Sequence, residues 1–328
     1  MVNKIEEVNT NIKEGLVKKS LEAIRENFYL LSFLFVFLIF SLGCQRFLTS
    51  QNLTLILVQA SVMMIASMGV TFVILAGSID LSVGSIIGIG AATTGALGPV
   101  LGMWVFPVAA LAGGVCGSLN GVIFSKGRIP SFMATLASLT ILRGIVYIIT
   151  KGIALPITSQ NLRIIGVGKI FGVPISILVA LSVVLISYYL CHLNKFGVMV
   201  AAIGGNEKTS ALSGIKVDTI KILIFVISGF FAGLAGAVSA SRTGAGSPYA
   251  GLGMETDIIT CVVLGGTAMT GGVGGVKGTI IGTLIIAMLS NGLDLMGVDP
   301  YLQTIVKGIV LWLAVLISTD RRKTGVVK

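Results

Sequence analysis

Long apolar runs alternate with short polar joints along almost the whole chain. A helix needs about 20 mostly apolar residues to cross a bilayer. Ten runs approach that length: 28–44, 53–75, 82–98, 104–124, 132–150, 173–193, 219–240, 257–270, 278–296 and 301–318. The third is rich in small residues and the eighth is short. A membrane β-barrel would instead show strands of about 10 strictly alternating residues. The pattern predicts an all-α polytopic membrane protein with about ten transmembrane helices. Ahead of the first run, Ile12, Leu16, Val17, Leu21, Ile24 and Phe28 recur at helical spacing among charges of both signs. Residues 1–27 therefore read as an amphipathic segment on the membrane surface, 28–318 as the transmembrane domain and 319–328 as a basic tail.

One polar stretch breaks the pattern. Asn194 to Lys221 carries four lysines, Glu207, Asp218 and a central Gly204-Gly205-Asn206-Glu207. Such a loop is costly to expose unless a partner reads it.

Composition agrees with the pattern: 55% hydrophobic, 11% charged, mean hydropathy +1.00. Soluble domains hold about 25% charged residues. The net charge of +10 resides in short loops, so it speaks of anionic lipid and orientation rather than nucleic acid. Ten spans put both termini on one side. Sixteen Lys and Arg fall on that side and five on the other, with Arg143 and Lys307 inside spans. The positive-inside rule makes the richer side cytoplasmic, and with it Asn194–Lys221. Cys44, Cys116, Cys191 and Cys261 lie in or beside apolar runs without paired spacing, and read as small packing residues.

An internal repeat is visible. Residues 73–78 (VILAGS) match 262–267 (VVLGGT), and 84–88 (GSIIG) match 278–282 (GTIIG). Each copy is a span, a Gly-rich break and a new span, and in this topology the copies run parallel. Catalytic constellations are missing: His192 is the only histidine. Gly271–Gly278 is Gly-rich, but Val276 precedes Lys277 and Gly278 follows it, so a phosphate loop fails. The chain shows no nucleotide site or cofactor site of its own. Asp80 lies between two spans, as a helix cap or as a proton or cation site. Arg143 and Lys307 either snorkel or serve a polar path; Arg143 could also pair with a carboxylate. Gly-x-x-x-Gly pairs at 84/88, 113/117, 117/121, 229/233 and 278/282 suit close helix packing.

Several stretches together resemble one family: AGSIDLSVGS from Ala76, KGRIPSFMATLASLTILRG from Lys126, AIGGNEKTSALSGIK from Ala202, LGGTAMTGGVGGVKG from Leu264 and NGLDLMGVDPYLQ from Asn291. They resemble, in order, the permease subunits of bacterial ABC sugar importers of the ribose/xylose/galactoside type. The resemblance covers about residues 50–318. It implies a fold like that of the vitamin-type (type II) ABC importers and a second permease copy. It also implies an ATPase subunit that binds ATP and Mg inside, and a sugar-binding protein outside. It maps ATPase coupling to Ala202–Lys216, with Gly204, Gly205, Asn206, Glu207 and Gly214 as contact candidates. Asp80, Ser82, Arg143 and Asn291 stand as structural or pathway candidates. Two positions depart from the family pattern: Ser78 replaces a usual Gly, and Val198 a common basic residue. The expected function is ATP-driven import of a monosaccharide across the inner membrane. The alternative is an ATP-independent transporter or channel that uses Asp80 as an ion site.

Overall fold

The computed structural model describes residues 28–318. The amphipathic N-terminal segment 1–27 and the basic tail 319–328 lie outside the described residues. The chain is mainly helical. In hydrocarbon a helix is the local structure that satisfies every backbone N–H and C=O within one segment, so apolar runs of this length fold as helices despite their glycines.

The long helices are α1 (Phe28–Gly43), α2 (Ser50–Leu75), α3 (Val83–Leu101), α4 (Val105–Ser125), α5 (Ser131–Thr150), α7 (Ile175–Tyr188), α10 (Val217–Thr243), α12 (Val276–Leu295) and α13 (Pro300–Ser318). Shorter ones are α6 (Gln160–Val167), α8 (Lys195–Gly205), α9 (Glu207–Leu212) and α11 (Met254–Leu264). A π-turn, Tyr189–Leu193, extends α7. Strand β1 (Leu155–Pro156) pairs antiparallel with β4 (Ala245–Gly246), and β2 (Lys169–Ile170) with β3 (Val173–Pro174).

Each of the ten apolar runs overlaps a helix. Six stretches are long and apolar enough to cross a membrane: Ser50–Leu75, Val83–Ser125, Ser131–Thr150, Ile175–Leu193, Val217–Thr243 and Val276–Leu295. The second is a hairpin. It turns at Gly102, where φ is +54°, and α3 and α4 pack side by side. The eighth run behaves differently. Its helix, α11, has 11 residues and spans about 16 Å, half the hydrocarbon thickness.

Helix α10 forms the centre and packs on α2, α3, α4 and α6. The glycine pairs explain how closely. A Cβ on Gly113 would stand 2.2 Å from the Gly229 carbonyl oxygen, and one on Gly117 2.0 Å from that of Phe225. The two helices thus touch backbone to backbone, as small residues permit in a bilayer. Gly278 and Gly282 of α12 do the same against Gly265 and Cys261. Helix α13 rests on α11 and α12, and α1 on α12. The four cysteines are free thiols, three of them buried.

Two elements begin inside the bundle rather than at its ends. Asp80, just before α3, bonds Ser228, the twelfth residue of the 27-residue α10. On the other side the chain leaves α10 and descends along α3. Gly246 lies against Gly95 and Gly251 against Gly84, eleven residues lower, a descent of about 16 Å. Helix α11 then starts level with the first turn of α3.

Candidate functional site

The stretch Asn194–Lys221 is not an irregular loop: it folds as α8, α9 and the first turn of α10. The Asn194 side chain caps α8 by accepting from the Phe196 amide. Asn206 is extended and breaks α8 from α9. Its side-chain oxygen accepts from the Thr209 amide at 3.0 Å, an N-cap bond. Glu207 follows at the first position of α9, where a carboxylate suits the helix dipole. Its Oε1 pairs with Lys221 Nζ at 2.7 Å, and that ammonium also lies 4.5 Å from the Phe124 ring centroid. Gly214 ends α9 at φ +84°. There the Ile215 amide donates to Ser210 and the Gly214 amide to Ala211, the paired bonds of a Schellman cap. Leu212 and Val198 project from these helices at 90% and 70% exposure. A hollow of about 430 Å³ opens beside them, lined by Phe124, Arg128, Glu207, Asp218 and Lys221.

This helical corner joins both Gly-rich breaks of the internal repeat. A Cβ on Gly204 would stand 2.0 Å from the Leu75 carbonyl oxygen and 2.5 Å from the Gly272 amide. One on Gly271 would meet Gly77 at 2.6 Å and Gly204 at 2.8 Å. The Gly272 amide donates to Leu75 at 2.8 Å. Gly77, Gly271 and Gly272 have φ between +74° and +82°, a conformation that favours glycine. Three segments far apart in sequence therefore meet with no side chain between them. Gly205 differs from its neighbour: nothing lies within 4 Å of a Cβ there.

The first break is also held by hydrogen bonds. Asp80 Oδ1 accepts from the Ser82 amide (3.0 Å) and hydroxyl (2.6 Å), and Oδ2 from the Ser228 hydroxyl (2.9 Å). Ser82 Oγ in turn accepts from Asn120 Nδ2 at 2.8 Å, and Asn120 Oδ1 from the Ser138 hydroxyl. Ser131 and Thr135 of α5 accept from the amides of Ile79 and Leu81. Asp80 is thus fully buried and tied into α3, α4, α5 and α10 by neutral donors. It caps its own turn rather than accepting from deeper amides of α3, whose first residue has no side-chain cap. The stripe Ser131, Thr135, Ser138 recurs at helical spacing; that periodicity was readable in the sequence, and its partner segment was not.

Two further candidates resolve into pairs. Asn291 exchanges two amide hydrogen bonds of 2.9 Å with Asn52, which fastens α12 to α2. Lys307 does not snorkel: its Nζ pairs with Asp257 at 2.9 Å, with both side chains largely covered. Arg143 is buried and donates to the carbonyls of Pro248 and Ala250. The acidic residue nearby is Glu255, which sequence reading missed because it sits among the residues of an outer loop. Among the described residues no group of three or more His, Cys, Asp or Glu could hold a metal ion.

The family described as branched-chain amino acid transport system / permease component matches residues 52–315. The chain belongs to this permease family. The permease is 40% identical over 301 residues to the ribose import permease protein RbsC of Escherichia coli (strain K12), covering 89% of this chain and 93% of that protein. To RbsC of Bacillus subtilis (strain 168) it is 39% identical over 288 residues, 85% and 87% of the two chains. To the D-allose transport system permease protein AlsC of Escherichia coli (strain K12) it is 36% identical over 283 residues, 85% and 86%. No solved structure matches the permease. Family and helices together make it a multi-pass membrane protein and a transporter subunit rather than an enzyme. Nothing supports the ATP-independent reading built on Asp80, whose oxygens are taken by serine and amide donors.

Proposed function

We propose that the chain is the permease subunit of an ATP-driven importer for a monosaccharide, ribose or a related sugar. The observation that carries this reading is the likeness, over 85–89% of the chain, to permeases named for ribose and D-allose. A binding protein outside the membrane delivers the solute. A separate ATPase subunit holds ATP and Mg and drives the cycle. The permease pairs with a second copy of itself, crosses the inner membrane ten times in the vitamin-type (type II) arrangement, and keeps both termini in the cytoplasm.

Coupling runs through α8 and α9. Support comes from three features of that corner. Leu212 and Val198 leave apolar side chains uncovered on a polar end of the molecule, as protein-binding surfaces do. Asn206 and Gly214 cap α9 at both ends, so it moves as a unit. Gly204 touches both repeat breaks through backbone alone, so a push on α8 reaches α2, α3, α11 and α12 without slack. In that scheme Gly204 and Gly205 transmit the push, Glu207 locks the corner to α10, and Asp80 and Ser82 keep the start of α3 in register.

The test is ATP-driven uptake of D-ribose by the complex in proteoliposomes, at matched membrane levels. Glu207→Lys places two cations together at Lys221, and Gly205→Pro removes a backbone donor and disrupts the last turn of α8. Both should abolish most uptake while the chain stays inserted and the external protein still binds sugar. Unchanged uptake in either variant rules out the coupling role. Uptake driven by an ion gradient in vesicles without the ATPase would overturn the ATP-driven reading itself.

A further inference from the structure

At the end of the bundle away from α8 and α9, the chain makes a small hairpin just before α7. Strands β2 and β3 pair Lys169 with Pro174 and Ile170 with Val173, so Phe171 and Gly172 form a two-residue turn. Both have positive φ, +49° and +82°. A turn of that kind favours Asn, Asp or Gly at its first central position, and a bulky side chain there is a steric outlier. Phe171 gains no packing in exchange: it is 102% exposed. Ile170 and Val173 beside it are exposed too, as are Ile164 and Val167 of α6. Backbone strain at a surface position, with no contact within the chain to offset it, points to a partner outside the chain.

The level of the hairpin along the bundle identifies that partner. Its base is closed: the Ile175 amide donates to the Gly168 carbonyl at 2.9 Å, and the Gly168 amide to that of Ile164 at 2.8 Å. The hairpin is thus fixed to the first residue of a 19-residue apolar stretch, Ile175–Leu193. At 1.5 Å per residue that stretch is about 28 Å long, close to the thickness of the hydrocarbon core. Leu193 adjoins α8, so Ile175 lies at the opposite hydrocarbon boundary. Two-residue strands reach about 7 Å, and the headgroup layer is about 5–7 Å deep on each side. The whole hairpin therefore fits within that layer. Trp104 marks the same level. It stands one residue before the 21-residue α4, whose far end, Ser125, bonds Asp218 in the first turn of α10. Val100, Met103 and Trp104 are exposed, and the turn Gly102–Trp104 packs beside α6.

Lipid at this level presents an acyl boundary and a phosphate to the same side chain cluster. Trp concentrates at that boundary, and Phe and Leu seat interfacial segments in it. Lys169 is exposed at the base of the hairpin, and a lysine can lay its stem on apolar surface while its ammonium stays in the polar layer. The exposed face continues along α7 through Leu181, Leu185 and Ile186, which meet the acyl chains. A soluble partner docks above the headgroups, beyond the reach of so short a tip. We propose that the Lys169–Pro174 hairpin is a lipid-binding wedge, with Trp104 as a second anchor across α6. Phe171 and Ile170 enter the headgroup–acyl boundary of the leaflet at that end, and Lys169 takes a lipid phosphate. The wedge goes beyond the importer reading and does not rest on it.

The experiment reads tryptophan fluorescence of the full-length permease in phosphatidylcholine vesicles brominated at a known acyl position. The chain has two tryptophans, Trp104 and Trp312. In a Trp104→Phe/Trp312→Phe background, Phe171→Trp supplies a single emitter at the tip. Bromine near the carbonyl end of the acyl chains should quench it most, and bromine near the methyl end little. Trp312→Phe alone leaves the hairpin unaltered and should show the same depth order for Trp104; size exclusion checks that each variant is folded. Adding brominated phosphatidylglycerol, an anionic lipid, should raise the quenching of the tip, and Lys169→Glu should remove that rise. Quenching by aqueous iodide without quenching by bromolipid places the tip in water and overturns the wedge. Emission that neither quencher reaches also overturns it, and means that a second copy of the chain covers the tip. Bromolipid quenching that vanishes when a saturating external binding protein is added would assign the tip to that protein instead. No rise with the anionic lipid strikes the Lys169–phosphate contact.

Discussion

Gly204 and Gly205 are neighbours with opposite tolerance. The Leu75 carbonyl fills the space beside Gly204, whereas that beside Gly205 is open. Gly204→Ala must part backbone from backbone, a strain of about 1–3 kcal/mol; Gly205→Ala meets nothing. The first should lower the melting temperature in detergent and the uptake rate, and the second should leave both near the unaltered values. A similar contrast holds for the amide pair. Asn52→Ala or Asn291→Ala leaves a buried amide without its partner, a loss of about 1–3 kcal/mol. The double variant should cost less than the sum of the two, which thermal unfolding of all three would check. The sequence marked Asn291 through its motif, but its partner lies 239 residues away, a distance no local pattern bridges. Glu255 escaped notice for a related reason: an acidic residue near a glycine-rich outer joint is ordinary until α3 is laid against it.

At the scale of the element, α9 is a six-residue helix, too short to persist on its own. Its two caps and the Glu207–Lys221 pair hold it. Asn206→Ala removes the N-cap bond and should cost about 1 kcal/mol, while Asn206→Asp keeps an acceptor and should be nearly silent. Uptake at rising temperature separates the two. Leu212 faces outward from the same helix. Leu212→Glu should weaken attachment of the ATPase about tenfold, as loss of an apolar anchor does, without lowering thermal stability of the permease alone. Co-purification with the ATPase at graded concentrations reads the difference. Of this element the sequence showed polarity and the punctuating Asn206 and Gly214, because capping is a local rule. It did not show that the stretch is helical, because six residues carry too little periodicity.

Across the whole molecule, each apolar run overlaps a helix because hydrocarbon leaves the backbone little choice, and six stretches are long and apolar enough to cross a membrane. What hydropathy could not show is depth. A run of small and apolar residues reads the same whether its helix starts at a surface or inside the bundle beside Asp80, as α3 does. The repeat was legible as matching strings, yet its two copies receive different neighbours: Gly84 and Gly88 take the descending 250–251 backbone and the tips of Glu255 and Arg143, whereas Gly278 and Gly282 take the backbone of α11 and its end.

The brevity of α11 bears on how the permease is made. Eleven residues with Glu255 and Asp257 in the first turn are a poor substrate for insertion machinery that admits helices on their own hydrophobicity. Entry of α11 must await α3 and α12, whose glycines receive it, and so it follows synthesis of residues beyond its own end. Cys261, fully covered in the finished protein, reports the moment. In membranes holding a released chain that ends at residue 275, with Cys261 as its sole cysteine, the thiol should react with a water-soluble maleimide. In the full-length chain, with α12 and α13 in place, it should be protected. Labelling that is already absent at the shorter length would mean that α11 enters the bilayer unaided.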